Sequence, residues 1–365
     1  MHPAPLVSVV TCVFNGERFL REAVESILGQ TFKDLEFIII DDGSTDGTAR
    51  ILAEYERKDP RVRVYHHENR GIAKSANRGC GLARGKYIAR MDADDVAMPD
   101  RFERQVDFLS KNPEAGLVGG AVEMIDGAGK RLFFDQPPLE DEAIRAALLS
   151  FGFPIYQPTV MMRKAAFEAA GGYRAPFVPA DDYDLWLRIA QRWRVANLPE
   201  VLLRRRLHSQ QISIRALRQE VFGALAAHAL AFGKGRHLVG PAGEVPPISE
   251  EFLEELGVSK AAQQEALAGG YGQWIWCAAR ASQDETALEL VEQLAELSRS
   301  APVESVHVSN ALLVAAGIHW RRRRPARALY CLGRAVLARP RLAGRPFRQA
   351  LLFLFHKSWP AHSES

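Results

Sequence analysis

The amino-acid sequence predicts an α/β protein, an open and mostly parallel sheet followed by a mainly helical C-terminal region. Three observations carry that expectation. Strand-like and helix-like segments alternate through about residue 215, the rhythm of a parallel sheet with crossover helices. The run "LEFIIID" at residues 35–41 is apolar on both faces, as an interior parallel strand is. Two apolar runs end in carboxylates, Ile40 into Asp41 and Asp42, and Met91 into Asp92 and Asp94. Both pairs then fall on the sheet edge where such folds bind ligands.

The first segment, "LVSVVTCVF", alternates and is rich in β-branched residues, a strand. "GERFLREAVESILGQ" places Phe19, Leu20, Ala23, Ile27 and Leu28 at helical spacing. After the second strand, "DGSTDGT" turns the chain into a helix over 45–58, and "RVRVYHH" is a third strand. Residues 72–83 form a helix and "KYIARMD" a fourth strand. The helix over 99–111 starts on Pro99, whose fixed φ suits a first turn. "AGLVGGAVEMID" is a fifth strand closed by the turn "DGAGK". Residues 137–183 lack a regular pattern and are expected to cover the ligand edge. Residues 180–191 are helical, with Leu185, Trp186 and Ile189 inward. Beyond Ile214, Gly/Pro-rich "GKGRHLVGPAGEVPP" separates helical segments. One over 284–299 carries Leu288, Val291, Leu294 and Leu297 on a stripe, and one over 326–338 lies between Pro325 and Pro340. The expected division is a sheet domain over 1–215 and a helical appendage over 216–365.

At 365 residues, with 47% hydrophobic and 25% charged, the chain has the profile of a two-domain globular protein. Its apolar runs fall short of the roughly 18 residues that cross a bilayer. "APLVSVVTCVF" lacks the basic flank and small-residue cleavage site of a secretion signal, which places the active site in the cytoplasm. The four cysteines, Cys12, Cys80, Cys277 and Cys331, show neither metal-ligand spacing nor a disulfide array. Charge is distributed unevenly. The net +3 includes eleven cations between Glu304 and Glu364, a span without any acid, so the rest of the chain carries −8. Those cations, Arg321 to Lys357, are interleaved with Ala326, Leu329, Leu332, Val336, Leu337 and "ALLFLF". A basic amphipathic stretch of this kind is a candidate anchor for an anionic membrane surface. The alternative is an apolar side packed on the sheet domain with its arginines solvated. No nucleic-acid-binding motif accompanies it, so nucleic acid is not an expected partner.

Asp92, Asp94 and Asp95 repel one another unless a cation or donors lie between them. A divalent metal joining a protein carboxylate to a substrate diphosphate meets that need; a solvated acidic loop is the plainer alternative. Asp42, read from its neighbours alone, suits an Asx-type turn or a helix N-cap. Residues 42–47 imitate the start of a calcium loop, but its twelfth position is Ala53 rather than glutamate, which excludes calcium there. Lys74 opens a helix, and a helix N-terminus with a lysine suits a diphosphate; an exposed lysine also needs no ligand.

The stretches "VSVVTCVFNGERFLREAVESILGQTFKDLEFIIIDDGSTDGT", "ENRGIAKSANRGCGLARGKYIARMDADDVAMPDR", "GGYR" and "PADDYDLWLRI" occur in that order. Together they resemble the family 2 glycosyltransferases over about residues 5–215. The resemblance implies an A-type glycosyltransferase fold, Rossmann-like, with inversion at the anomeric carbon. It implies a nucleotide-sugar donor, with a UDP-sugar expected, and a divalent metal, Mn2+ or Mg2+. Asp42 would recognise the base and Thr11 line the base or ribose pocket, with Lys74 and Asn77 also on the nucleotide-sugar. Asp94 would bind the metal directly and Asp92 would divide between ribose and metal. His208, in "RRRLHSQQIS", would touch metal or diphosphate, although a structural histidine fits as well. Asp182 would be the general base that takes the acceptor proton. Many relatives have Glu where this chain has Asp181. Asp95 is expected to cap the next segment, and Arg204, Arg205 and Arg206 have two readings, help in holding phosphate or acceptor, or, more commonly, an exposed charge run.

The expected reaction is sugar transfer to a hydroxyl acceptor, a growing cell-surface polysaccharide or lipid-linked glycan. A sugar nucleotidyltransferase is disfavoured because "TCVFNGERF" holds no Gly-rich phosphate loop. A non-catalytic nucleotide-sugar-binding scaffold is disfavoured because Asp94 and Asp182 are both kept.

Overall fold

The computed structural model describes residues 4–150, 152–209, 211–240, 244–300 and 303–339. The sheet and its helices run β1 (Val7–Val13), α1 (Leu20–Leu28), β2 (Leu35–Asp41), α2 (Thr48–Lys58), β3 (Val62–His66), α3 (Ile72–Leu82) and β4 (Tyr87–Arg90). They continue as β5 (Val96–Ala97), α4 (Arg101–Lys111), β6 (Ala115–Ile125), β7 (Arg131–Asp135) and α5 (Asp141–Leu149). The last of the series are β8 (Met161–Arg163), α6 (Lys164–Ala170), α7 (Asp181–Ala190) and β9 (Arg194–Arg206). Among the described residues the strands join in the order β3-β2-β1-β4-β8-β6-β9-β5, with β7 on β6. β1 to β4 run parallel, β8 runs antiparallel between β4 and β6, and β9 runs parallel to β6.

β1 and β2 are buried at every position, as apolar interior strands require. α1 buries Leu20, Ala23, Val24 and Ile27, with Leu28 of the expected stripe half-buried, and Leu20, Val24 and Ile27 each contribute about 1.5–3 kcal/mol on burial. α3 lies closer still to the sheet. A methyl group on Gly79 would sit 2.5 Å from Val10 Cγ1, so glycine is what lets this helix press onto β1 and β2.

β5, β7, β8 and β9 lie outside the sequence expectation. β5 has two residues and β8 three, too few to show a period. The irregular segment 137–183 also carries α5, β8 and α6. β9 is long, thirteen residues, but contains Pro199 and ends in three arginines, both of which argue against a strand. Its ladder with β6 absorbs the proline in a bulge: Leu198 pairs with Gly120 and Val201 with the next residue, Ala121, so Pro199 and Glu200 stand out of register.

The chain forms two compact units, one of Met1–Arg206 with Phe222–Gly257 and one of Leu207–Val221 with Val258–Ser365. The helices here are α8 (Ile212–Arg215), α9 (Leu217–Ala231), α10 (Glu250–Glu255), α11 (Lys260–Arg280), α12 (Asp284–Ser300), α13 (Ser305–Arg321) and α14 (Pro325–Ala338). Residues 222–257 group with the sheet unit, where α9 runs close to the segment before α7. A methyl on Gly223 would lie 2.7 Å from the Phe177 carbonyl oxygen. In the second unit α11 packs on α12 and α13, around a small core of Ala278, Ala287 and Ile318. No helix among the described residues is long and apolar enough to cross a membrane. The run "ALLFLF" lies outside the described residues.

Candidate active site

The strand register puts the candidate residues on one edge. Val13 pairs with Asp41 and Val10 with Arg90, so Thr11, Asp42 and Asp92 all lie at the C-terminal ends of parallel strands. The loops after β1 and β2 are knitted together there. The Asn15 N–H donates to Ser44 Oγ (2.9 Å), the Thr45 N–H to Asn15 Oδ1 (2.7 Å), and the Gly16 N–H to Thr48 Oγ1 (2.9 Å). Asn15 has φ +54°, a left-handed conformation that asparagine tolerates.

Asp42 is buried, and its carboxylate accepts the N–H groups of Arg70 (2.8 Å) and Gly71 (3.0 Å). The Asx-type turn falls to its neighbour instead: Asp41 Oδ1 accepts the Ser44 N–H (3.0 Å). Asp42 therefore draws the start of α3 over the end of β2. Gly71, at φ +85°, makes the bend possible and is the residue before α3. Asp42 Oδ1 also lies 3.3 Å from His67 Nδ1, and Oδ2 retains a second lone pair for a further donor. Lys74 is exposed in the first turn of the same helix.

Asn77, further along α3, gives both ends of its amide to one residue. Its Nδ2 donates to the Tyr173 carbonyl (2.8 Å) and its Oδ1 accepts the Tyr173 N–H (2.8 Å). That pair buckles "GGYR" to α3. A side chain on Gly172 would collide with Asn77 Oδ1 at 2.6 Å. On the other side, Arg174 and Arg188 both pair with Asp184, so the same motif holds α7. α7 carries Asp181 and Asp182 in its first turn.

The Asp92–Asp95 loop is held by arginines. Arg206 is 1% exposed, which overturns its reading as part of an exposed charge run. Its N–H donates to Asp95 Oδ1 (2.8 Å), its Nε to the Asp94 carbonyl (2.9 Å), and its Nη2 to Glu22 (2.7 Å). Asp95 thus pins β9 rather than capping the next segment. Arg101, fully buried on α4, donates to the Arg90 carbonyl (2.8 Å). Arg90 is itself fully buried and donates to the Val10 carbonyl (2.8 Å), while its Nε and Nη2 find no partner among the described residues. Thr11 Oγ1, Tyr173 Oη and Asp181 Oδ2 are also buried without one. Sequence reasoning missed Arg90 and Arg101. Arg90 gave a faint signal, a cation inside the apolar run "YIARM", and Arg101, in the polar stretch "PDRFER", gave none.

The electrostatics join these groups. Burial, then the charge of Asp94, pushes the Asp92 carboxyl up to about 6. Burial pushes Asp182 up to about 6 as well, with Asp92 adding to the rise and Arg205 opposing it. Burial pushes the Cys12 thiol up to about 11, and both Asp92 and Asp42 reinforce it, so this side chain feels the acids of both strand ends. Arginines neutralise part of this charge, and the carboxylate oxygens of Asp92 and Asp94 form a hard, oxygen-rich pair. It fits a hard divalent cation at Asp92 and Asp94.

Burial, then Asp182, pushes Asp181 up to about 7. The folded state therefore favours its protonated form. The penalty for ionising it is absent below the unfolded value of about 3.9, grows up to about 7 and is complete above that. Asp181→Asn is expected to melt several degrees higher than the parent at pH 8 in EDTA, with the gain vanishing towards pH 4. Thermal unfolding across that range measures it.

His208 belongs to the second unit, where its N–H donates to Gln211 Oε1 (3.3 Å). That unit also brings Glu265, Glu304 and His307 together. Glu265 accepts the Glu304 N–H (3.0 Å) and meets His307 Nε2 (2.8 Å), which makes it a side-chain cap for the start of α13.

Residues 8–170 match the family model described as glycosyl transferase family 2. An uncharacterized glycosyltransferase of Haemophilus influenzae is 36% identical over 223 residues, 58% of this chain and 69% of its own. The chain belongs to the family 2 glycosyltransferases. Solved structures agree on the fold. TarS of S. aureus in complex with UDP-GlcNAc is 16% identical, with 90% of each chain covered and a TM-score of 0.51. The mannosyltransferase PcManGT of Pyrobaculum calidifontis in complex with GDP-Man and Mn2+ is 17% identical, covering 93% of this chain and 89% of its own, with a TM-score of 0.51. The sheet of this glycosyltransferase is accordingly the A-type glycosyltransferase sheet, followed by a helical C-terminal region. The matched residues stop short of α7, so Asp181 and Asp182 lie beyond the family model.

Proposed function

We propose that this glycosyltransferase moves a sugar, with inversion, from a UDP-sugar to a hydroxyl of a cell-surface or lipid-linked glycan. The observation that supports it is the electrostatic coupling of Asp182 on α7 to Asp92 at the end of β4. A base and a diphosphate site must face one another across a single sugar, and these two acids lie 90 residues apart in the sequence. Asp42 and Thr11 line the base and ribose side, with Lys74 at the helix N-terminus towards the diphosphate. Asn77 acts by fixing "GGYR", and so α7. Asp94 and Asp92 hold the divalent cation, which when bound neutralises charge on the departing diphosphate.

Asp182 takes the proton from the acceptor hydroxyl. The acceptor oxygen then bonds to the anomeric carbon as the bond from that carbon to the diphosphate oxygen breaks on the opposite face. The nucleoside diphosphate leaves with the electron pair. The nucleotide sugars bound in the two structural relatives, with Mn2+ in PcManGT, favour this donor class, and the carboxylate at Asp42 favours a base with an N–H to offer.

Calorimetric titration of UDP-sugars, with and without Mn2+, tests the reading. Tight binding is expected only with the cation, and Asp94→Ala is expected to remove the cation dependence and weaken binding at least tenfold. Equal donor affinity in the variant, or binding indifferent to Mn2+, would overturn it. Preference for GDP-mannose would overturn the UDP assignment alone.

A further inference from the structure

α14 is apolar on both sides. Ala328, Cys331, Leu332 and Ala335 are buried, and α13 packs against this helix. The opposite side exposes Leu329 (63%), Tyr330 (64%) and Leu337 (80%), while the buried side holds Leu332 as its one large apolar group. Positions 330, 334 and 337 follow one another along one helical side, with 329 and 333 beside them. A helix that faces only water carries polar groups there.

The charge around this stripe has one sign. Arg323, Arg324, Arg327, Arg334 and Arg339 are exposed, and the Arg334 guanidinium lies 6.0 Å from the Tyr330 ring centre. Arg321 and Arg322 are spent elsewhere, on Asp284 and Glu285. No acid occurs from residue 305 to 339. We propose that this outer side of α14 docks on an anionic phospholipid surface. Leu329, Tyr330 and Leu337 enter the interfacial layer, and Arg323, Arg324, Arg327 and Arg334 face headgroup phosphates. A second copy of the same surface would set arginines against arginines. A nucleic acid would satisfy the guanidinium groups and leave the three apolar side chains in water. The docking is independent of the donor chemistry, so it stands or falls separately from the proposed reaction.

Co-sedimentation of the full chain with vesicles decides it. Phosphatidylcholine alone is compared with phosphatidylcholine containing about 30% phosphatidylglycerol. The parent is expected to bind only the anionic vesicles and to be released by salt. The triple variant Leu329→Gln, Tyr330→Gln, Leu337→Gln is expected to lose about tenfold or more in partitioning, with its melting temperature and circular dichroism unchanged because these side chains are exposed. Each of Arg323→Gln, Arg324→Gln, Arg327→Gln and Arg334→Gln should cost roughly fivefold. No binding, equal binding to neutral vesicles, or full binding by the triple variant would overturn the proposal. So would displacement by duplex DNA that the triple variant resists no less than the parent.

Discussion

Asp182→Asn is expected to lower sugar transfer by about two to four orders of magnitude while leaving donor affinity within a factor of two or so. The asparagine keeps the shape of the carboxyl and removes its capacity to take a proton. In the parent, transfer should fall tenfold per pH unit below about 6, because burial holds Asp182 protonated there and a protonated base is idle. The variant should lack that limb. Single-turnover transfer against pH, with donor affinity measured separately, distinguishes a lost base from a damaged pocket. Transfer within tenfold of the parent at pH 8 would move the role elsewhere.

Arg206→Met is expected to destabilise the fold by about 1–3 kcal/mol and to weaken donor binding with it. The side chain is 1% exposed and holds the Asp94 carbonyl, Glu22 and, through a longer contact of 3.3 Å, the Asp126 carbonyl. Its cation also stacks 4.5 Å from the Phe19 ring centre. Methionine fills part of the volume but leaves the Asp94 carbonyl without this donor. The neighbouring Arg205→Met provides the contrast. Arg205 is half-buried, and its charge lowers the pKa of both Asp92 and Asp182. Its loss should change stability little and push the acid limb of transfer above 6. Chemical denaturation and the pH profile of the two variants, measured together, separate the roles.

Much of the first sheet half was legible because periodicity there is strong. "LEFIIID" is buried throughout, and α1 to α4 begin and end within a few residues of expectation. The acids at the ends of β2 and β4 were legible for the same reason, since a parallel register fixes which ends share an edge. The second sheet half was hidden by its own local chemistry. Pro199 masks β9, and two- and three-residue strands have no period to detect. Roles set by tertiary contact were hidden too. Nothing in "DDGS" tells which aspartate makes the turn and which reaches Arg70 and Gly71, and nothing in "DADD" tells that Asp95 pins a strand 111 residues away.

The bulge at Pro199 and Glu200 fixes the phase of everything that follows it in β9. Alternate side chains point to opposite faces, so phase alone decides which of three consecutive guanidinium groups stands behind the acidic loop. Because all three residues are arginine, an extra residue inserted in the bulge would bring Arg205 to the place of Arg206, and a cation would still occupy it. The repetition makes this support tolerant of a frame error in one direction. In the other direction, loss of a bulge residue would seat Leu207 there and leave the loop without its donor.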